Sequence, residues 1–200
     1  MTVTDAWARI EDWMAAHAPA SAAVLAPPAD PDAIAAAEAA LGLAFPNELT
    51  QSLRRHDGLT EWANVLPEAR PLAVAGIVES YRERMDVAPD VDGFTPAGPE
   101  NEPWWHPRWL PFGDAEGDLQ VFDLRREPAR LGWAPHDNPG TFADAWPSLT
   151  AYLTAVADAL DAGGTVGAWS PFLRPDGTLW WDLTGATTLN DEPLEPAPPK

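Results

Sequence analysis

Two His-Asp pairs, His56-Asp57 and His136-Asp137, are the first residues in this chain whose types suggest chemistry, because an adjacent imidazole and carboxylate can both ligate a cation. Their surroundings argue otherwise. Gly58 follows the first pair at a helix end, and Asn138-Pro139 follows the second in a loop, whereas metal ligands need rigid elements and a supporting shell of hydrogen bonds. A histidine near a helix C-terminus also has an electrostatic reason to sit there, so capping and turn roles are expected for both pairs. Asp114, Glu116, Asp118 and Asp123 form a second cluster, with the spacing of a possible calcium loop. Such a loop needs Gly at its sixth position and a bidentate Glu at its twelfth. Counted from Asp114, Gly117 falls fourth and Arg125 twelfth, so the match fails and a solvated acidic turn is expected.

Eleven tryptophans, including the doublets Trp104-Trp105 and Trp180-Trp181, raise the idea of a sugar-stacking platform served by two carboxylates. No spacing places two carboxylates opposite one another. In a strand doublet one ring faces the core and the other faces out, so about half of these doublet rings belong to packing. Nucleophile-elbow, phosphate-loop and dinucleotide motifs are missing, and with no cysteine there is neither a thiolate site nor a disulfide framework.

The stretch that must position these groups runs from Trp104 to Leu124. Trp109, Leu110 and Phe112 precede an acidic, glycine-bearing turn, and Leu119, Val121 and Phe122 follow it, which predicts a β-hairpin. On the second strand Leu119, Val121 and Asp123 point one way and Gln120, Phe122 and Leu124 the other, so the strand should lie inside a sheet covered on both faces. Helices are expected over about 4–17, from Asp30 to Gly42, from about Pro46 to His56, around 73–83, and from Ser148 to Gly163. A strand is expected at 130–133 and a second hairpin around Pro175-Asp176-Gly177. Residues 18–29 read as a linker, 59–71 as loop or short strand, and 86–103 as a long polar excursion. Helices segregated around a mainly antiparallel sheet make an α+β domain over 1–185, and the proline-rich residues 186–200 are expected to be a disordered tail.

With 31 acidic and 12 basic residues the net charge is −19, which repels phosphate backbones and disfavours nucleic acid as a partner. A basic protein partner would be attracted. No segment reads as an export signal or membrane span, and the expectation is a cytoplasmic protein.

In order along the chain stand Leu41-Gly42-Leu43-Ala44-Phe45-Pro46, His56-Asp57-Gly58, Trp109-Leu110-Pro111-Phe112, Gly117-Asp118, Phe122-Asp123-Leu124 and His136-Asp137. This order, from about Trp7 to Trp181, resembles the SUKH superfamily, which includes a fungal regulator of cell-wall assembly and bacterial immunity proteins. The resemblance implies an α+β fold with a central antiparallel sheet and no established catalytic residues. It also implies, for bacterial members, neutralisation of toxins, among them nucleases. His56, Asp57, Gly58, Trp109, Pro111, Gly117, Asp118 and Asp123 are the motif positions, for which structural roles are expected. The function expected is occlusion of a basic toxin without catalysis, cofactor or metal. Asp114, Glu116 and Asp118 would steer the encounter, and Trp104, Trp105 and His106 would supply an exposed anchor. The alternatives are an intracellular scaffold or regulator of the cell-wall assembly type, using its tail and loops to join partners, and a metal-dependent hydrolase built on the two His-Asp pairs.

Overall fold

Thr2 and Asp5 close a capping box at the start of the first helix: the Thr2 hydroxyl accepts the Asp5 N–H at 3.1 Å and the Asp5 carboxylate accepts the Thr2 N–H at 2.9 Å. The computed structural model describes residues 1–200, and in it this helix, α1 (Val3–His17), buries Val3, Trp7, Ile10 and Met14 at the helical spacing read from the sequence. The supposed linker contains a short helix, α2 (Pro19–Ala23), started by its proline. Asp30 caps α3 (Pro31–Leu41), which Gly42 ends in the left-handed region at φ 65°; α4 (Asn47–Leu53) follows. α5 (Val74–Val87) runs four residues past the expected end and continues into a 3₁₀ turn, Ala88–Val91, so the polar excursion begins as helix. Ser148 caps α6 (Leu149–Ala162), which packs along α1 and ends at Gly163, φ 71°.

The central sheet is an antiparallel meander of five strands in chain order, β1 (Arg70–Pro71), β2 (Trp109–Ala115), β3 (Asp118–Asp123), β4 (Arg130–Ala134) and β5 (Thr141–Trp146). The fold is α+β, as expected. β2 and β3 form the predicted hairpin across Glu116 and Gly117, both at positive φ (55° and 100°), the two-residue turn whose twist suits paired strands. A register shift between Pro111 and Gly113 accommodates the proline. One sheet face, with Leu110, Phe112, Phe122 and Leu131, shares a core with α1, α4 and α6. The other, with Trp109, Leu119, Val121 and Ala134, is covered by Tyr81, Ala88 and Trp105. Covering both faces explains why β3 lacks the usual apolar-polar alternation. β5 escaped the sequence reading because Thr141-Phe142-Ala143-Asp144-Ala145-Trp146 is an edge strand with little buried surface.

The second hairpin, β6 (Trp169–Leu173) and β7 (Leu179–Leu183), forms where predicted, but it joins a separate sheet. Two further short strands, β8 (Thr188–Leu189) and β9 (Glu192–Pro193), pair with each other, and β10 (Glu195–Pro196) pairs with β6. The expectation of a disordered tail at 186–200 is therefore corrected. Leu194 and Ala197 are buried, the Ala197 N–H donates to Pro171 O at 3.0 Å, and the Trp13 indole donates to Pro198 O at 3.0 Å. The prolines misled because a low count of apolar side chains says nothing about an edge strand, where a fixed extended φ suits the chain and missing N–H groups leave no ladder bond broken.

Candidate functional site

His56, Asp57 and Gly58 act as a clasp between elements. The His56 ring reaches Ala26 O through Nδ1 at 2.9 Å and the Glu11 carboxylate of α1 through Nε2 at 2.8 Å. Asp57 Oδ1 accepts the Val74 N–H at 2.7 Å, capping α5 from 17 residues away, where Ala73 offers no side-chain cap of its own. Gly58, at φ 69°, lies against the backbone of Leu72 and Ala73. On the other side of the chain, Asp118 Oδ1 accepts both the His136 backbone N–H at 2.8 Å and its ring Nδ1 at 2.7 Å. Burial opposes the Asp118 charge, but these bonds outweigh it and hold the carboxyl below its usual range. No group of three or more His, Asp or Glu side chains is arranged around a common point that would hold a metal ion. Both His-Asp pairs make fold contacts.

The anchor expected at Trp104, Trp105 and His106 is altered by the structure. Trp105 is 0 % exposed, edge-on to Tyr81 and to Trp109 at ring separations of 5.9 and 5.8 Å, so it is core and not surface. The polar loop before it gave no sign of this, because burial follows from α5 lying over the sheet. His106 is half-buried, its Nδ1 accepting the Arg108 N–H, and burial, then the nearby Arg125 guanidinium, lower its pKa. Trp104 is half-buried as well: its indole donates to His136 O at 3.0 Å and its ring lies 4.7 Å from the Arg84 guanidinium carbon. Sequence reasoning missed Arg84. It is buried beneath the hairpin turn and donates to Gly117 O, Ala134 O and Pro135 O at 2.6, 3.2 and 3.0 Å. A cavity of 260 Å³ gathers Arg84, Trp104, Asp114 and His136 on this side of the turn.

On the opposite side the same turn forms one wall of a larger cleft, 410 Å³, which brings Asp114 and Glu116 to Trp62, Trp169, Trp180 and Trp181, with Glu68, Arg70 and Asp182. The loop between α4 and β1 is held there by Asn64. Its side chain pairs with the β7 backbone, donating to Trp181 O at 3.3 Å and accepting the Trp181 N–H at 3.2 Å. Trp181 lies beneath and donates to Val65 O at 3.3 Å, while Trp180 alternates outward, as the strand rule for a doublet requires. Trp62 is 59 % exposed and rests against Trp180 at a ring separation of 5.7 Å and an angle of 46°. Arg70 is taken by Asp114, with nitrogens at 2.6 and 2.9 Å from its Oδ2, and Asp182 accepts the Trp180 indole N–H at 3.1 Å. Glu116 and Glu68 have no cationic partner within salt-bridge distance. Thus Asp114 and Glu116 of the expected site share a cleft, while Asp118 faces His136 and Trp105 is enclosed.

Glu68 sits at the inner edge of this cleft with a left-handed backbone, φ 72°, and its Oε2 lies 3.4 Å from Gln120 Nε2. Burial raises its pKa from the ordinary 4.5 to about 6, only partly opposed by a hydrogen bond from Trp146. The fold therefore favours the protonated acid: its stabilising effect is whole below 4.5 and lost as pH rises to about 6, leaving a charged, destabilising group above that. Glu68→Gln is expected to raise stability by about 1–2 kcal/mol near pH 8 and to change it little near pH 4. Urea unfolding at both pH values checks this, and equal gains at both would contradict it.

A profile of the SMI1 / KNR4 family (SUKH-1) matches residues 28–155. No curated protein gives a significant match. The matched span takes in the His56-Asp57-Gly58 clasp, all five strands of the central sheet and Trp62, Glu68, Asp114 and Glu116 of the cleft; Trp169, Trp180 and Asp182 lie beyond it. Because the match covers more than half of the 200 residues and takes in the whole meander with α3, α4 and α5, the chain belongs to the SMI1 / KNR4 family (SUKH-1).

Proposed function

We propose that the protein is a cytoplasmic, non-catalytic binding protein of the immunity type, which occludes a basic polypeptide toxin. The observation that carries this reading is the cleft: four carboxylates and an exposed tryptophan surround it, and its one guanidinium is already paired. Exposed aromatic area beside uncompensated acid suits a protein interface, where the ring is desolvated and the carboxylates meet Lys or Arg. The net charge of −19 supports long-range attraction of such a partner. No helix is long and apolar enough to cross a membrane. The scaffold alternative relied on the tail and loops as joining segments; in the tail, Glu195–Pro196 pairs with β6 and Pro198 O accepts the Trp13 indole of α1.

The test is kinetic. Association with a cationic polypeptide toxin that co-purifies with the chain from its native cell is expected to slow at least about tenfold between roughly 0.05 and 0.5 M salt, and co-expression should relieve that polypeptide's toxicity. A salt-independent rate would remove the electrostatic steering. Turnover of a substrate by the purified chain would remove the non-catalytic reading.

A further inference from the structure

We infer that the cleft is a receptor for a single arginine side chain presented by the basic polypeptide, its guanidinium lying against the exposed Trp62 ring and reaching Glu116. This rests on the binding reading above and adds to it the group that is recognised.

Three features of the cleft select this occupant. Trp62 is 59 % exposed and touches Trp180 on one side at a tilted angle of 46°, which leaves most of its ring surface open to a ligand. Of the aromatic side chains tryptophan attracts a cation most strongly. The second feature is the state of the acids. Asp114 is engaged by Arg70, and Asp182 by the Trp180 indole and the Leu183 N–H; Glu68 lines the inner edge with its carboxylate bonded to Gln120, and Glu116 lines the cleft without a counter-charge. The third is size. A volume of 410 Å³ is far too small for a helix, with its diameter of about 10–12 Å, yet it admits one long side chain. Arginine suits this place better than lysine because its planar fork can stack on an indole while donating to carboxylates, and because it is more weakly hydrated and enters a half-buried site at lower cost. The two halves of the receptor also come from separate elements. Glu116 is on the turn of the central hairpin, and Trp180 is on the second sheet, with Asn64 holding the Trp62 loop between them.

The test uses the full chain with its indole nitrogens labelled for NMR and titrated with three capped five-residue glycine peptides carrying a central arginine, lysine or citrulline. The arginine peptide is expected to shift the Trp62 and Trp180 indole signals and few others, to bind at least about fivefold tighter than the lysine peptide, and to lose about tenfold in affinity in Trp62→Ala and in Glu116→Gln. Both substitutions are at exposed positions, and unchanged thermal unfolding would show that the fold is kept. Shifts scattered over many tryptophans, equal binding of lysine or citrulline, or an unaltered affinity in Trp62→Ala would each overturn the proposal. A second measurement separates it from the function it rests on. If the whole cationic polypeptide binds Trp62→Ala as it binds the original chain, the receptor is wrong and occlusion stands. If it fails to bind the original chain, occlusion itself is wrong.

Discussion

Asp123→Ala is expected to destabilise the protein by about 3–5 kcal/mol, because it removes the centre of a buried charge network and leaves two guanidinium groups short of a partner. The Asp123 side chain is 1 % exposed. Its Oδ1 accepts Arg125 Nε at 2.6 Å and the Arg125 backbone N–H at 3.2 Å, and its Oδ2 accepts Arg125 Nη2 at 3.0 Å and Arg130 Nη2 at 3.1 Å. Glu102 completes the network, holding Arg125 through two bonds of 2.9 Å and so tying the end of the long polar excursion to the sheet. Phe142 flanks both cations, with guanidinium carbons 5.8 and 4.3 Å from its ring. Burial works against the Asp123 charge, yet the Arg125 and Arg130 bonds overcome it and its pKa is lowered from 3.8. A lowered folded-state pKa means that the stabilisation is present above 3.8 and fades as pH falls through the lower value. The gap between Asp123→Ala and the original chain, measured by urea unfolding, should therefore be widest near neutral pH and narrow in acid. A gap of under about 1 kcal/mol at neutral pH would show that the network contributes no more than a surface ion pair.

Gly58→Ala is expected to cost about 3 kcal/mol or more, through backbone geometry. At φ 69° an alanine pays the left-handed penalty, of order 1–2 kcal/mol. Its Cβ would also lie 2.6 Å from Ala73 N and 3.1 Å from Ala73 Cα, and these are backbone atoms at the start of α5 that cannot turn aside. The change would pry apart the clasp in which neighbouring Asp57 caps α5. Gly42→Ala serves as the control, for φ is similar at 65° but nothing lies within 4 Å of the added Cβ. Thermal unfolding should show the Gly42 variant down by the strain alone and the Gly58 variant down by at least twice as much. Equal losses would mean that α5 can shift to make room.

The residues that were legible in the sequence are those whose reason is local. Thr2, Asp30 and Ser148 accept N–H groups within three residues, Gly42 and Gly163 end helices by positive φ, and Glu116-Gly117 turns the hairpin, so element type follows from chemistry within a few positions. The candidate site was legible only in part. Asp114 and Glu116 were marked by their charge beside a turn, whereas Glu68 and Trp62 sit in a stretch with no periodicity to single them out. The Trp180-Trp181 doublet was placed correctly as one ring in and one out, but the same logic could not sort Trp104 from Trp105, which lie in an irregular segment outside any strand.

By itself the sequence determined the five longer helices, the two hairpins and the acidic turn of the first, and a charge of −19 that any partner must meet, but not α2, β5 or the short strands after β7. Tertiary structure alone decided which acids stay free. Asp118 is matched by His136 and Asp114 by Arg70, partners 18 and 44 residues away along the chain. It also decided that a proline-rich tail becomes an edge strand and that Trp62 meets Trp180 over a cleft. The physical reason is that a turn or cap is a contact within one stretch of backbone, whereas pairing a charge or covering a ring needs two stretches that come together only when the core closes.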